Sequence, residues 1–556
     1  MRTPPLLLAV LLMGTALFGA CQTLAPAPSS TDRPVATYDG GTITYEALHA
    51  AWNRQHTGTA VADTTQELLT FLDQYLNYRL KVHEARQVGY DAQPAVQQEI
   101  RDYVQERARP AFLEAHVTAP LLDTLYQRQQ QEVRTRHILI RVDENAPPED
   151  TLAAYNQIHA LRDSVQAGSD FAALARTASD DPSVQQRGQR GFEGDLGYLS
   201  AGQLVDSYED AMYRHPVDAP PAVVRSPFGY HLIDVLDRQP RMPRTRIAHL
   251  HIRPDDDTPA AREAARARID SLAAALLPDS TAFAEAARLY SDDARTAENG
   301  GELGWLSIQQ YVPAPFRNAV RALDTDGAIS EVVVLDTGFY LIQRRAAEPL
   351  PSFEEAEPEL RTQLENMPRT EERRQTLVDT LRDARSVMVD TAAVRTTLGA
   401  EWTDRASSML QTTPDSTVLA AVQPPASSAA GMQSPDTLRH EGLHRYLRSH
   451  TDLRTASVGE AVDHWIDDTV LNQAAIAWAA SQPDLRQEIE LFTDGLLVFE
   501  LMQDSVWTAP DDVAPEATPA ALAPDRYEQA YVQRLRDRHA AELYPQRLRE
   551  QRASTP

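Results

Sequence analysis

One internal repeat constrains this chain more than any other feature. RTRHILI at 134–140 returns as RTRIAHLHI at 244–252, and each run reads as an apolar strand holding a histidine, His137 or His249. Two Ala-rich amphipathic stretches follow in each copy, the second opening on Phe171 or Phe283, and then Ser-Asp-Asp at 179–181 and 291–293. The histidine and the last aspartate recur with the same 112-residue step, 137 to 249 and 181 to 293. GDLGY at 194–198 then matches GELGW at 301–305, and the copies close on FGYHLIDV from Phe228 and GFYLIQ from Gly338. A fixed period marks a duplicated structural unit. The order strand, helices, turn, helix, strand predicts two α+β domains in tandem, each an antiparallel sheet with surrounding helices.

The flanks read differently. Residues 35–44 give strand, tight turn and strand around Asp39-Gly40-Gly41. From Tyr45 to about Val117 the pattern is helical, with Leu68, Phe71, Leu72, Leu76 and Leu80 at helical spacing. Gly89 closes that helix and Pro94 opens the next. After Leu350 the chain turns helical again, with Ser352 and Glu355 at capping-box spacing. Residues 411–436, rich in Pro, Ser, Thr and Ala, read as a flexible linker. TLRHEGLHRYLRSH at 437–450 echoes TITYEALHAAWNRQ at 42–55 and suggests a degenerate copy of the N-terminal helical module. The expected division is a signal over 1–20, a tether over 21–33, a helical segment over 34–130, and domains over 131–240 and 244–348. A helical segment over 350–410, the linker over 411–436 and a C-terminal helical segment over 437–556 complete it, so both flanks are expected to be all-α.

The formal charge of −27, with no local basic patch, argues against nucleic acid as a partner. Arg2, then an apolar run over 6–18, resembles an export signal and is shorter than the roughly 20 residues a membrane span needs. Gly19 and Ala20 lead into Cys21, the single cysteine. That pattern resembles a bacterial lipoprotein signal, which implies lipidation of Cys21 and a membrane anchor. A lone cysteine also excludes intramolecular disulfides and CxxC sites.

Together the HIL strand, the Ser-Asp-Asp turn, the G-D/E-L-G loop and the FGYHLI-type last strand resemble the parvulin fold. Two such domains behind a signal and a helical segment resemble the SurA-type periplasmic chaperones and the PrsA-type lipoprotein foldases. The resemblance implies peptidyl-prolyl isomerase activity without a cofactor or metal. It also implies a periplasmic location, with Gln22 after the cysteine pointing to the outer membrane, and unfolded or nascent exported polypeptides with proline-containing segments as partners. In the SurA-type pattern the N- and C-terminal helices form one module. By position, His137, Asp181 and His231 are the expected catalytic groups of the first domain, and Leu204 and Tyr208 its proline-receiving wall. The second keeps His249 and Asp293 as its expected catalytic groups and Val312 and Phe316 as its proline-receiving wall, but Tyr340 stands where the second histidine should be. Residues 187–193 lengthen a loop that could reshape the entrance to the first cleft.

The chemistry asks little of a protein. The barrier to rotation about the imide bond comes from C–N resonance, and a thousandfold acceleration needs about 4 kcal/mol of preference for the twisted form. An apolar cup and a few oriented polar groups can supply it. Two other readings stand beside this one: a non-catalytic holdase that grips clients with parvulin surfaces, and a zinc protease, since His440-Glu441-Gly442-Leu443-His444 fits the HExxH pattern. Neither a Gly-rich phosphate loop nor a serine nucleophile elbow is present.

Overall fold

The structure, a computed structural model, describes residues 33–55, 64–277, 280–398, 401–423, 435–507 and 524–554. Cys21, the expected signal and most of the tether lie outside them. The chain forms two compact units, one from Met1–Arg109 with Ala475–Pro556, the other from Pro110–Ala474.

In the first unit the two ends of the chain share a core. The strands Pro34–Tyr38 and Gly41–Thr44 form the expected hairpin, and Glu542–Leu543 adds a third strand through the pair Ala36 and Leu543. Helix Thr65–Val88 starts on a capping box between Thr64 and Glu67 and ends on Gly89, whose φ of 89° suits glycine. Its buried Leu68, Leu72 and Leu76 pack with Leu48 and Trp52, and with Leu535 and Leu548 from the C-terminal helices Pro524–Arg538 and Pro545–Ser554. A second cluster joins Ala85, Tyr90 and Val96 to Leu497 and Leu501 of helix Pro483–Met502. Elements from both ends of the chain thus share one core.

In the second unit the two repeats fold alike. The first sheet runs Asp195–Leu199, Gln131–Arg141, Gly229–Pro240, Ala222–Ser226; the second runs Glu302–Leu306, Arg244–Ile252, Gly338–Glu348, Val333–Leu335, all neighbours antiparallel. Both faces of the central strands are covered, which explains why they read as nearly continuous apolar runs rather than alternating ones. In the first domain Ile138, Ile140 and Leu232 pack under helices Pro148–Gln166 and Phe171–Ala178, while Val133, Ile233 and Val235 meet Tyr208 and Met212 of helix Asp206–Arg214 on the other face. Helices Ala119–Gln129 and Phe353–Glu365 lie beside this domain, sharing a core of Leu122, Leu125, Leu360, Leu364 and Ala201.

The two domains are also bolted to each other. Glu132, fully buried, accepts hydrogen bonds from Arg317 Nε at 3.0 Å and Nη2 at 2.6 Å, from Arg321, and from Gln239 Nε2 at 2.8 Å. Tyr198 packs against Ile308 and Ala314, and Arg190 of the lengthened loop lies over the ring of Tyr311 at 5.5 Å. Residues 187–193 do not line the first cleft. Arg187 and Arg190 of this loop reach the second domain, Arg187 meeting Asp336 at 3.1 Å, while Glu193 pairs with Arg176 of the first.

The flanks depart from the all-α expectation. Besides the three strands of the first unit, Val387–Val389, Val418–Val422 and Asp436–Arg439 form an antiparallel sheet with Val418–Val422 in the centre. That strand lies inside the expected linker: VLAAV is a short apolar run of buried residues, and the Pro and Ser around it hid it from a composition argument. The echo between 42–55 and 437–450 has a structural counterpart, since in both a strand edge runs directly into a helix, Tyr45–Gln55 or His440–Ser449. The expected C-terminal segment is also split, because residues from Ala475 onward group with the N-terminal unit. No helix of the described residues is long and apolar enough to cross a membrane.

Candidate active site

Strand register brings the first site together. His137 pairs with Ile233 and His231 with Leu139, so the two histidines are diagonal neighbours on one face. That face also carries Ile233 and Val235, so by the period of two the histidines point towards Tyr208 rather than into the opposite core. His137 Nδ1 and His231 Nδ1 are 3.3 Å apart, and His137 Nε2 is 2.8 Å from Asp181 Oδ2. Asp181 arrives on the turn after helix Phe171–Ala178, its other oxygen accepting from the Ser183 N–H at 2.9 Å. At the far end His231 Nε2 lies 2.7 Å from Ser226 Oγ, which accepts from the Phe228 N–H at 3.1 Å.

The proton positions follow from the acid end. A carboxylate only accepts, so His137 carries its proton on Nε2. The arrangement that completes the network has His231 Nδ1 donating to His137 Nδ1 and the Ser226 hydroxyl donating to His231 Nε2. The result is one hydrogen-bonded chain, Ser226 to His231 to His137 to Asp181, polarised towards the anion. The hydrogen bond from His137 holds the Asp181 carboxyl far below the usual carboxylate range, against the opposing effect of burial. Burial, with the neighbouring His137 adding to it, pushes His231 down to about 3.

These shifts set an expected pH dependence. Folded His231 refuses a proton that the unfolded chain accepts below its ordinary value near 6.5, so stability falls with acid by roughly 1.4 kcal/mol per pH unit from that group. Asp181 acts in a lower window: its contribution is complete above about pH 4 and disappears as pH drops through its depressed folded value. Buried His249, His251 and His444 are also lowered by burial and add to the upper window. His231→Asn should therefore flatten the slope of unfolding free energy between pH 6 and 4, measured by urea titration, relative to the unsubstituted chain.

The site has an apolar floor. Tyr208 is buried, its ring edge-on to both histidines at 5.8 and 5.4 Å, with its hydroxyl 3.2 Å from Thr135 Oγ1. Burial raises its hydroxyl pKa well above the usual range. Tyr208 thus lies against both histidines from within the apolar cluster, and half-buried Leu204 packs on the same cluster. His137, Asp181, His231, Leu204 and Tyr208 all line one cleft of about 1570 Å³, with Phe228 exposed at its rim. Ser226 and Thr135 were missed in the sequence, although Ser226 stands five residues before His231 in SPFGYH, a spacing that was available to notice.

The second copy keeps the pieces and loses the chain. His249 Nε2 lies 3.1 Å from Asp293 Oδ2 and 3.0 Å from Thr296 Oγ1. Burial pushes Asp293 up, but Arg295 outweighs it, with His249 helping, and leaves the carboxyl at about 2. Tyr340 takes the cross-strand position of His231, pairing with His251, on whose ring it stacks at 4.2 Å. Its hydroxyl turns to Thr337 at 2.8 Å. Among the described residues nothing hydrogen-bonds the buried Nδ1 of His249. Phe316 packs edge-on against Tyr340 at 5.9 Å, and Val312 joins the same apolar cluster, so these side chains fill one another's space.

The protease pattern does not build a site. His440 and His444 are buried and share the hydroxyl of Thr412, at 2.7 and 3.3 Å, while Glu441 is exposed. Among the described residues no group of three His, Cys, Asp or Glu side chains could hold a metal. HEGLH fits the five-residue pattern, but helix His440–Ser449 turns its histidines into the core.

Residues 122–239 and 249–346 each match the PPIC-type PPIASE domain. The chain is 32% identical over 221 residues to the Chaperone SurA of Nitrosococcus oceani, covering 39% of this chain and 49% of that protein. It is 27% identical over 380 residues to the Chaperone SurA of Methylobacillus flagellatus, covering 59% and 84%. With the Chaperone SurA of Cupriavidus metallidurans the values are 33% over 234 residues, 40% and 45%. The chain spans about half the length of most of these curated relatives. It carries two PPIC-type PPIASE domains and is similar over these stretches to SurA chaperones.

Proposed function

We propose that the chain is a peptidyl-prolyl cis-trans isomerase and chaperone for unfolded exported polypeptides, with the first parvulin domain as the working isomerase. The observation that carries this is the unbroken chain from Ser226 to Asp181 at the base of an open cleft. A proline ring seated over Tyr208 would leave water. In such surroundings the charge-separated, planar form of the imide is less favoured relative to the twisted one. The fixed dipoles beside it need no rearrangement as the carbonyl turns, and no proton leaves the enzyme. His137, His231 and Asp181 hold the polar edge, and Leu204 and Tyr208 hold the ring. In the second domain His249 and Asp293, with Val312 and Phe316, form the counterpart of this site, weakened by Tyr340 in place of the second histidine. Cys21 is the lipid attachment point in this reading, tethering the protein to the outer membrane on its periplasmic side.

The test uses the full chain with proline-containing peptides and a proline-limited refolding protein, whose uncatalysed step takes tens of seconds. The unsubstituted chain should accelerate both, and His249→Ala should keep more than half of that acceleration. Loss of most activity on His249→Ala would place the isomerase in the second domain. A holdase alone would suppress aggregation of an unfolded outer-membrane protein and accelerate neither substrate.

A further inference from the structure

We propose that the first isomerase site does not end at its own domain: helix Ala119–Gln129 and the corner at 367–373 form a second wall, which receives an apolar residue flanking the substrate proline. This rests on the isomerase reading and adds to it a substrate preference and the residues that set it. The cleft is one continuous space, running from His137 and His231 to Leu121 and Met367. Its volume of about 1570 Å³ exceeds the roughly 300–1,000 Å³ of ordinary small-molecule sites and suits a short extended stretch of peptide.

The second wall is rigid. Leu121 and Met367 are half-buried edges of the Leu122, Leu125, Leu360 and Leu364 core, so each offers one apolar side to the cleft from a packed base. The corner is clamped by Arg369, whose N–H and Nε donate to the two oxygens of Asp206 at 2.8 and 2.7 Å, and whose Nη2 donates to Glu209 at 3.0 Å. Glu209 is fully buried and also takes Arg128 Nη1 at 3.3 Å and the Gly202 N–H at 2.6 Å. Asp206 and Glu209 stand on the same helix as Tyr208, so the floor of the proline cup and the second wall move as one piece. Arg128 and Arg214 are further occupied by Asp210, at 2.7 and 2.9 Å. Several of the charges nearest the wall are thus satisfied within the protein, and Leu121 and Met367 supply its apolar face, with Glu372 and Arg373 at the cleft beyond them. The thioether side chain of Met367 can adapt to several apolar shapes.

The experiment measures kcat/KM for the full chain on proline peptides in which the flanking residues are Leu, Ala or Glu. The unsubstituted chain should favour a Leu-flanked peptide over the Ala-flanked one by about tenfold, the scale of apolar discrimination in a fixed pocket. The double variant Leu121→Ser, Met367→Ser should reduce that ratio below about threefold, chiefly by lowering kcat/KM for the Leu-flanked peptide. A preference that survives in the double variant, or no preference in the unsubstituted chain, overturns the second wall while the isomerase stands. Absence of isomerisation for every peptide instead removes the isomerase reading itself. Should the double variant lose its circular dichroism signature, the single variant Met367→Gln is read by the same ratio.

Discussion

His137→Ala, in a His249→Ala background, lowers kcat/KM for prolyl isomerisation by about a hundredfold and leaves the fold in place. The substitution deletes the middle of the chain, so that Asp181 loses its donor and His231 its acceptor at once. Loss of one preorganised polar group at a reacting carbonyl commonly costs about 10²–10³ in rate. Circular dichroism should be unchanged, because the backbone pairing of strands Gln131–Arg141 and Gly229–Pro240 does not depend on the imidazole. A peptide isomerisation assay checks the rate. A loss smaller than threefold would mean that the cup alone does the work and that the histidine pair only ties two strands together.

The largest stability effect should come from a residue far from any reaction. Glu132→Ala leaves Arg317, 2% exposed, as a buried cation without its carboxylate, and should cost roughly 3–5 kcal/mol of unfolding free energy. Urea titration of the full chain, followed through the second unit, measures it. Adding Arg317→Met should recover most of the loss, since an apolar side chain of similar length needs no counter-ion. If Glu132→Ala costs under 1 kcal/mol, water or relaxation reaches the site and the bolt between the domains is weak.

The repeat made the two domains legible because strand, turn and loop motifs recur at one period, and a shared step is hard to produce without a shared fold. The histidine pair was legible only through the family resemblance, since the repeat carries His137 over to His249 but puts Tyr340 where His231 stands. His137 and His231 sit on strands whose alternation fixes the face they occupy, and the register brings them to 3.3 Å. Other features were not legible. Val418–Val422 is too short and too embedded in Pro- and Ser-rich surroundings to stand out, and its partners lie on both sides of it in the chain. Glu132 reads as an ordinary polar residue at a strand start; only the approach of helix Ala314–Arg321 makes it a buried junction. Arg369 is hidden likewise, one arginine among several on a charged helix until the fold sets Asp206 and Glu209 beside it.

The strand pair of Ala36 with Leu543 has a consequence for how such a chain is made. Synthesis delivers residues from the N-terminus, and the hairpin at 34–44 waits for more than four hundred further residues before its third strand exists. Until then Leu68, Leu72 and Leu76 lack the cover of Leu535 and Leu548, and their greasy side stays open. The repeats, made of contacts near in sequence, can mature meanwhile. Newly made copies should therefore pass through a stage in which the middle is finished and the ends are still unmet, the stage most open to proteases and to sticking to one another.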